Sequence, residues 1–134
     1  MGITNFNVDR MSNHKYQIIS YAVNAVAADV ASMPIGAVGP LSGGVVKKVR
    51  AMAFEETSGT LSITLKKLTT TAGAQTETAI AAAISLAVDN TWIEGAVVEA
   101  AKHVDAGQII TFHADETSWV GTGVLVEVWI ESYY

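Results

Sequence analysis

Histidine is the residue of this chain best suited to chemistry, because its ring serves in acid–base catalysis and in metal binding. The three histidines are His14, His103 and His113, and no two of them have the spacing of a metal-ligand pair. Asp115 and Glu116 follow His113 closely enough to orient its ring, although such a loop also stays polar simply because it is exposed. The chain has no cysteine, which excludes disulfides, thiolate zinc sites and thiol nucleophiles. No nucleophile elbow or phosphate-binding loop occurs, so the sequence predicts a protein that is not an enzyme and uses no metal or cofactor.

The basic residues are concentrated in one part of the chain, at Lys47, Lys48, Arg50, Lys66 and Lys67. If the two strands that carry them pair, Lys48 and Arg50 share a face with Lys66. One interpretation is a solvated sheet face. The other is a contact with an acidic surface of a partner or of a neighbouring subunit, for which Lys47, Lys48 and Arg50 are the candidates.

The aromatic residues offer a second candidate site. Trp129 alternates with the valines of the last strand, so it faces away from their core side. Tryptophan and tyrosine are common at interfaces because one end is apolar and the other polar. We therefore favour a subunit interface at Leu125, Trp129 and Tyr133 over a sugar-binding platform. The aromatic residues considered for such a platform are Trp92, Trp119, Trp129, Tyr133 and Tyr134.

Composition limits the possible class of protein. The 134 residues fit one domain, and the hydrophobic half of them is mostly Ala and Val, which predicts thin layers of small side chains in pleated sheets. The net charge of −5 argues against binding nucleic acid. Residues 1–76 hold seven basic and four acidic residues, whereas residues 77–134 hold one and nine. A sandwich could pair these halves or show them to different partners.

Nothing in the chain directs it to a membrane. The N-terminus lacks the basic start and apolar core of a signal peptide. The most apolar run, Ala79 to Val88, has ten residues, whereas a bilayer span needs about 20. We expect a soluble protein that does not contact a membrane.

Strand patterns dominate the chain after a polar stretch over residues 1–15, which predicts an N-terminal arm ordered by contact with a neighbour. The single domain covers residues 16–134, and Tyr16 to Val23 is its first predicted strand. Val45 to Phe54 alternates imperfectly, Thr60 to Leu65 alternates cleanly, and the loop between them predicts a hairpin. Repeated Pro and Gly residues between the Tyr16 to Val23 strand and the Val45 to Phe54 strand exclude a helix there.

The segment from residue 76 to residue 104 supports two interpretations. Ile80, Ile84 and Val88 fit the spacing of a helix, whereas Thr76, Thr78 and Ile80 alternate as a strand does. One short helix and an all-strand arrangement both remain open here.

The end of the chain gives the clearest pattern. In Gln108 to Ala114, the alternation places Ile110, Phe112 and Ala114 on one face. The final strand then has four residues on its core face, with Leu125, Glu127, Trp129 and Glu131 on the other. These core residues are Val124, Val126, Val128 and Ile130. Short strands separated by Gly and polar turns favour an all-β, jelly-roll-like antiparallel sandwich.

This series of segments resembles the cement, or head-decoration, proteins of tailed bacteriophages over roughly residues 22–131. Members of that family commonly carry an acidic residue where this chain has Gln108. The segments that carry the resemblance are Gly44-Val45-Val46-Lys47-Lys48-Val49, Thr60 to Leu65, Val104-Asp105-Ala106-Gly107-Gln108-Ile109-Ile110, and Gly121-Thr122-Gly123 before the valine-rich end.

The resemblance implies a structural virion protein that is made in the bacterial host cytoplasm and binds the outer surface of the capsid. There it would act as a homotrimer that stabilises the lattice of the major capsid protein, with Lys47, Lys48 and Arg50 as capsid contacts. A carbohydrate- or receptor-binding module of a phage fibre is the alternative, with the exposed aromatic residues as its platform.

Overall fold

A computed structural model describes residues 16–24, 26–39, 43–71, 73–87 and 89–132. The predicted arm over residues 1–15 and the candidate interface residue Tyr133 lie outside the described residues.

The described chain forms two antiparallel sheets, which confirms the predicted all-β sandwich. The first sheet has the order β1-β10-β3-β7, with β8 also paired to β3, and the second has the order β2-β9-β4-β5, with β6 also paired to β4. The strands are β1 (Tyr16–Val23), β2 (Val30–Ala37), β3 (Gly44–Phe54), β4 (Ser58–Thr71), β5 (Ala74–Ala79), β6 (Ile84–Ser85), β7 (Ile93–Gly95), β8 (His103–Val104), β9 (Ile109–Val120) and β10 (Gly123–Ser132).

Strands that follow each other along the chain often lie in different sheets. β3 and β4 lie in opposite sheets, so the predicted hairpin between them is wrong, and Lys66 does not share a face with Lys48 and Arg50. Each strand instead forms a ladder of ten residue pairs, β3 with β10 and β4 with β9. Both strands are therefore central in their sheets, and their backbone groups are paired with strands distant in sequence. β9 and β10 do not pair with each other, and both lie inside their sheets.

The core joins a layer of small side chains to a layer of large ones. The inner face of the first sheet presents Val49, Ala51 and Ala53 from β3 beside the four predicted core residues of β10, all of them buried. The inner face of the second sheet presents mainly bulky residues. Facing layers of small and large side chains interlock at the close spacing of a sandwich. The large buried residues of the second sheet are Leu61, Ile63, Leu65, Ile110, Phe112 and Trp119.

A β-bulge explains the imperfect alternation in β3. Lys48 pairs with Trp129 but Val46 pairs with Ile130, which leaves Lys47 as an extra residue in the ladder. An extra residue resets the alternation of faces. Val46 and Val49 are therefore both buried, whereas Val45 is only partly buried.

The open question over residues 76–104 is resolved in favour of strands. Within the described part of this segment, the helical structure consists of a 3-10 turn at Glu99–Ala101. The Ile80 amide donates to the Leu65 carbonyl at 3.0 Å, and the Leu86 amide donates to the Leu61 carbonyl at 2.8 Å. Because these amides are used by β4, they are not available for hydrogen bonds within a helix.

The alternation of buried and outward-facing residues along β4 leads to a prediction about stability. Ile63→Ala removes a fully buried side chain and should lower the free energy of unfolding by about 2–4 kcal/mol. Ser62→Ala, on the opposite face of the same strand, is the matched control and should change it by less than about 1 kcal/mol. Denaturant unfolding measures both, and equal losses would contradict the assigned faces.

Candidate functional site

The outer face of the first sheet brings the two sets of candidate residues together. Across the sheet, Ile18 pairs with Trp129 and Trp129 with Lys48. Two residues before Trp129 on β10, and on the same face of the sheet, Glu127 lies between Ser20 and Arg50. The proposed capsid contacts on β3 and the proposed subunit contacts on β10 are therefore neighbours on one surface, which we call the β10 face.

Arg50 is the centre of this face. Its Nε donates to Glu127 Oε1 at 2.8 Å, and one terminal guanidinium nitrogen lies 2.8 Å from the same oxygen. The Trp129 indole also donates to Glu127 Oε1, at 3.0 Å. The guanidinium carbon is 3.9 Å from the centre of the Trp92 ring and 5.7 Å from that of Trp129. Stacking and charge-assisted hydrogen bonds together fix the arginine in one orientation.

The contacts with Arg50 and Trp129 change the pKa of the Glu127 carboxyl group. Its partial burial pushes the pKa upward, but the hydrogen bonds from Trp129 and Arg50 and the positive charges of Arg50 and Lys48 outweigh that effect. The pKa of Glu127 is therefore lower than usual, and the carboxylate stays ionised beside Arg50.

The lysines of β3 are also paired with carboxylates from the acidic half of the chain. Lys47 Nζ lies 3.7 Å from a Glu131 oxygen, and Lys48 Nζ lies 4.0 Å from a Glu94 oxygen and 5.0 Å from the centre of the Trp129 ring. Together with Arg50 and Glu127, these pairs make the β10 face close to neutral. Of the two arrangements considered for the charge halves, pairing within the sandwich is the one found here.

Apolar side chains from β1 complete the face. Tyr16 is 50% exposed and Ile18 is 46% exposed. The Tyr16 ring meets Trp129 edge-on, with ring centres 6.3 Å apart. Leu125 and Trp129 are partly buried. Tyr16 and Ile18 were not selected as candidates from the sequence, although the adjacent apolar residues Ile18 and Ile19 indicate a strand that is apolar on both faces.

A second polar network lies on the outer face of the second sheet. His113 Nε2 is 2.6 Å from Glu77 Oε1, and the Thr111 hydroxyl donates to the same oxygen at 2.9 Å. The Ser32 hydroxyl donates to the other oxygen of Glu77, and the Ser32 amide donates to His113 Nδ1 at 3.3 Å. His113 thus accepts at Nδ1 and carries its proton at Nε2. We call Ser32, Glu77, Thr111 and His113 the Glu77 clasp.

The Glu77 clasp joins the two edge strands of the second sheet, since Ser32 lies on β2 and Glu77 on β5. In a flat sheet, strands three places apart are separated by about 14 Å. The Cα atoms of a serine and a glutamate whose side chains share a hydrogen bond are at most about 10 Å apart. Ser32 must therefore lie closer to β5 than the edge of a flat sheet would place it. A register break between Val30 and Met33, with Ser32 at a φ of 57°, shifts β2 in this direction.

The clasp lacks the geometry of a nucleophilic site. A catalytic serine must give its proton to the histidine, but the Ser32 hydroxyl donates to Glu77 instead. The network restrains Ser32 rather than activating it. Orientation of His113 by Asp115 or Glu116 was one of two interpretations from the sequence, and it is not what the structure has: the carboxylate partner of His113 is Glu77, 36 residues earlier.

Gln108 has a structural role that an acidic residue could not reproduce. Its side-chain oxygen accepts from the Asp105 amide at 2.9 Å, while its nitrogen donates to the Leu68 carbonyl at 3.2 Å and to Thr69 Oγ1 at 3.0 Å. A carboxylate accepts but cannot donate. The amide therefore ties the turn before β9 to the end of β4.

The remaining candidates are dispersed. Trp119 is only 6% exposed, and a Cβ at Gly121 would lie 2.5 Å from its ring, so it belongs to the core and not to a sugar-binding platform. His14 lies outside the described residues, and His103 is on β8. Among the described residues, no three His, Asp or Glu side chains are grouped as metal ligands, and no helix there is long and apolar enough to cross a membrane.

Comparison with known proteins gives no relative: no family model, curated protein or solved structure matches the chain.

The Glu77 clasp generates a prediction about acid stability. The Ser32 hydrogen bond, assisted by Thr111 and His113, lowers the pKa of Glu77 from its usual 4.5 to about 2. A carboxyl whose pKa is lower in the folded state stabilises the fold above its unfolded pKa and loses that contribution as the pH falls toward its folded pKa. Glu77→Gln should therefore lower the free energy of unfolding by about 1–3 kcal/mol at pH 7. The variant should also lose less stability than the unmodified protein as the pH falls from about 5 to about 2.

Urea unfolding at a series of pH values measures this effect. Glu55→Gln removes an exposed carboxylate that has none of these contacts and serves as the matched control. If the two variants give the same pH profile, the clasp does not stabilise the protein.

Proposed function

We propose that this chain is a structural virion protein, a cement protein that binds the outer surface of a phage capsid through the β10 face. The observation that carries the proposal is the exposure of Tyr16 and Ile18 beside the fixed network of Arg50, Glu127 and Trp129. An apolar contact beside immobilised aromatic and arginine side chains is the usual composition of a protein interface.

Rigidity supports this use of the face. Arg50 and Trp129 are held by Glu127 before any partner arrives, so ordering them on binding costs little conformational entropy. The face also spans the middle of a sheet, where β10 lies between β1 and β3. A protein that clamps a shell needs such a preformed surface.

The charge pairing changes the expected partner. Lys47, Lys48 and Arg50 were proposed to meet an acidic capsid surface, but each has a carboxylate of its own chain within 4.0 Å. We now infer that the capsid surface opposite them is mainly apolar and nearly neutral. Binding should then depend only weakly on salt concentration.

The carbohydrate-binding alternative is less well supported. A sugar ring stacks on the open face of an aromatic side chain, but the Trp92 ring is covered by the Arg50 guanidinium at 3.9 Å. The Trp129 ring has Lys48 at 5.0 Å and the edge of Tyr16 beside it. These crowded rings are therefore better suited to contact with a protein than to stacking with a sugar.

Ile18→Asp tests the proposed face. A charge at this exposed position should leave the fold intact and weaken binding to expanded empty capsids at least about tenfold, because it must be desolvated in an apolar contact. Thr60→Asp, an exposed position on the second sheet, is the matched control. Co-sedimentation at several protein concentrations measures the affinity.

Normal capsid binding by Ile18→Asp would exclude the β10 face. Absence of saturable capsid binding by the unmodified chain, together with binding to glycans, would favour the fibre module.

The oligomeric state is a separate prediction. Cement proteins of the family that the sequence resembles are usually trimeric, and three linked copies bind a symmetric shell far more tightly than one. Light scattering of the purified chain should give about 42 kDa, three times the chain mass of 14.1 kDa. A monomer at micromolar concentration would contradict the trimer.

A further inference from the structure

β1 is the edge strand of the first sheet on the side away from β3. All eight of its residues pair one to one with β10, and no described strand pairs with its other side. In an antiparallel ladder, the backbone groups of alternate residues point away from the partner strand. Half of the amides and carbonyls of β1 are therefore directed toward this outer edge.

β1 lacks the features that usually protect an edge. Charged residues, prolines and bulges commonly prevent an edge strand from pairing further. β1 contains no charged residue and no proline, and its ladder with β10 has no break in register. Both edge strands of the second sheet differ from it, since β2 has Pro34 and two register breaks and β5 carries Glu77. β1 is thus better suited than either to accept another strand.

Apolar side chains beside this edge are only partly covered. Among the residues of β1 that face inward, Ile19 is buried, whereas Tyr21 and Val23 are only partly buried. Met33 of β2, whose sulfur accepts a hydrogen bond from the Tyr21 hydroxyl at 2.9 Å, is 38% exposed. A strand added beside β1 would cover apolar surface here, and such burial is favourable.

The part of the chain that directly precedes β1 has the length for such a strand. Fifteen residues come before Tyr16, where β1 begins. A four-residue hairpin turn over residues 12–15 would place residues 4–11 opposite the eight residues of β1. Ser12 and Asn13, at the start of this turn, are residue types that favour turns.

The same residues have the pattern of an edge strand with one apolar side. Phe6 and Val8 fall on one face, and the alternating residues on the other face are polar. The polar residues are Asn5, Asn7 and Asp9, within the sequence Thr4-Asn5-Phe6-Asn7-Val8-Asp9-Arg10-Met11.

We propose that residues 4–11 pair in antiparallel fashion with the outer edge of β1 in the same chain. Opposite residues of a ladder share a face, so this alignment places Val8 beside Ile19 and Phe6 beside Tyr21 on the inner side. A shift by one residue would place Asp9 beside Ile19 instead. The apolar pattern therefore selects the register. The short connection to Tyr16 keeps the segment near its own β1 and favours that edge over the edge of another copy.

Charge does not oppose this pairing. Asp9 and Arg10 give residues 4–11 a net charge of zero, and β1 itself is uncharged. These two residues also supply the protection that β1 lacks, because charged side chains on the new outermost strand discourage further pairing.

The pairing is independent of the proposed capsid binding. The added strand extends the first sheet beyond β1 and leaves the β10 face open. Its tests use the purified chain without capsids, so failure of either proposal leaves the other standing.

A pair of engineered cysteines tests the register and the partner together. The chain has no cysteine, so Asn7→Cys with Ser20→Cys introduces two thiols at residues that the proposed register places opposite each other. Directly opposite Cβ atoms are about 4.5–5.5 Å apart, close enough for a disulfide after small adjustments. Oxidised glutathione should therefore link the two cysteines within one chain. Asn7→Cys with Thr60→Cys, on the second sheet, is the matched control and should not form this link.

Non-reducing gels and peptide mapping measure the outcome. Trypsin cuts after Arg10 and Lys15, so the disulfide should join two tryptic peptides that otherwise separate, in material that runs as a single chain before digestion.

Hydrogen exchange of the complete chain gives a second readout without cysteines. In the unmodified chain, the β1 amides that point away from β10 should be protected as well as those that point toward it. Val8→Asp places a charge beside Ile19 and should accelerate exchange of the outward amides at least about tenfold, while the amides that bond β10 stay protected. Asn7→Asp adds the same charge on the polar face and should leave both sets protected.

Three results would overturn the proposal. The first is rapid exchange of the outward β1 amides in the unmodified chain. The second is equal exchange in Val8→Asp and Asn7→Asp. The third is a disulfide of the Asn7 and Ser20 pair that forms no better than the Thr60 control or that links two chains, as an arm reaching a neighbouring copy would give.

Discussion

The ladder between β3 and β10 is the constraint on which most of this structure depends. It pairs residues that are about 80 positions apart in sequence, from Gly44 with Ser132 to Phe54 with Gly123. One alignment of two strands places the small Val and Ala side chains inside. The same alignment places Arg50 opposite Glu127 and Lys48 opposite Trp129 on the outside. A shift by one residue would bury the charges and expose the core.

The two outer faces of the sandwich have different physical characters as a result. The first sheet presents apolar side chains beside paired charges, with little net charge to attract or repel a partner. The second presents a polar face on which Glu77 connects the edge strands through Ser32, Thr111 and His113. The first is suited to a specific apolar contact, and the second to holding the edge strands of its sheet together.

The sequence predicted the faces of strands much better than their partners. Alternation along β10 correctly assigned Val126 and Val128 to the core and Trp129 to the outside, because alternation is a local property of the backbone. It could not reveal that β3 and β4 belong to different sheets, since this depends on partner strands that are distant in sequence. The extra residue at Lys47 was also hidden, because a bulge exists only in relation to a partner strand.

The residues of the candidate site could likewise be predicted from the sequence, but not their contacts with one another. Arg50 and Trp129 were both selected from sequence, but as members of two surfaces, and only the β3–β10 register brings them to one. Glu77 was not selected, because its partners lie on strands far away in sequence.

Electron cryo-microscopy of expanded capsids incubated with the purified chain tests the proposed function most directly. We expect added density at regular positions on the outer surface, with the sandwich oriented so that Ile18 and Trp129 meet the shell. Bare capsids, or density attached through the outer face of the second sheet, would contradict it.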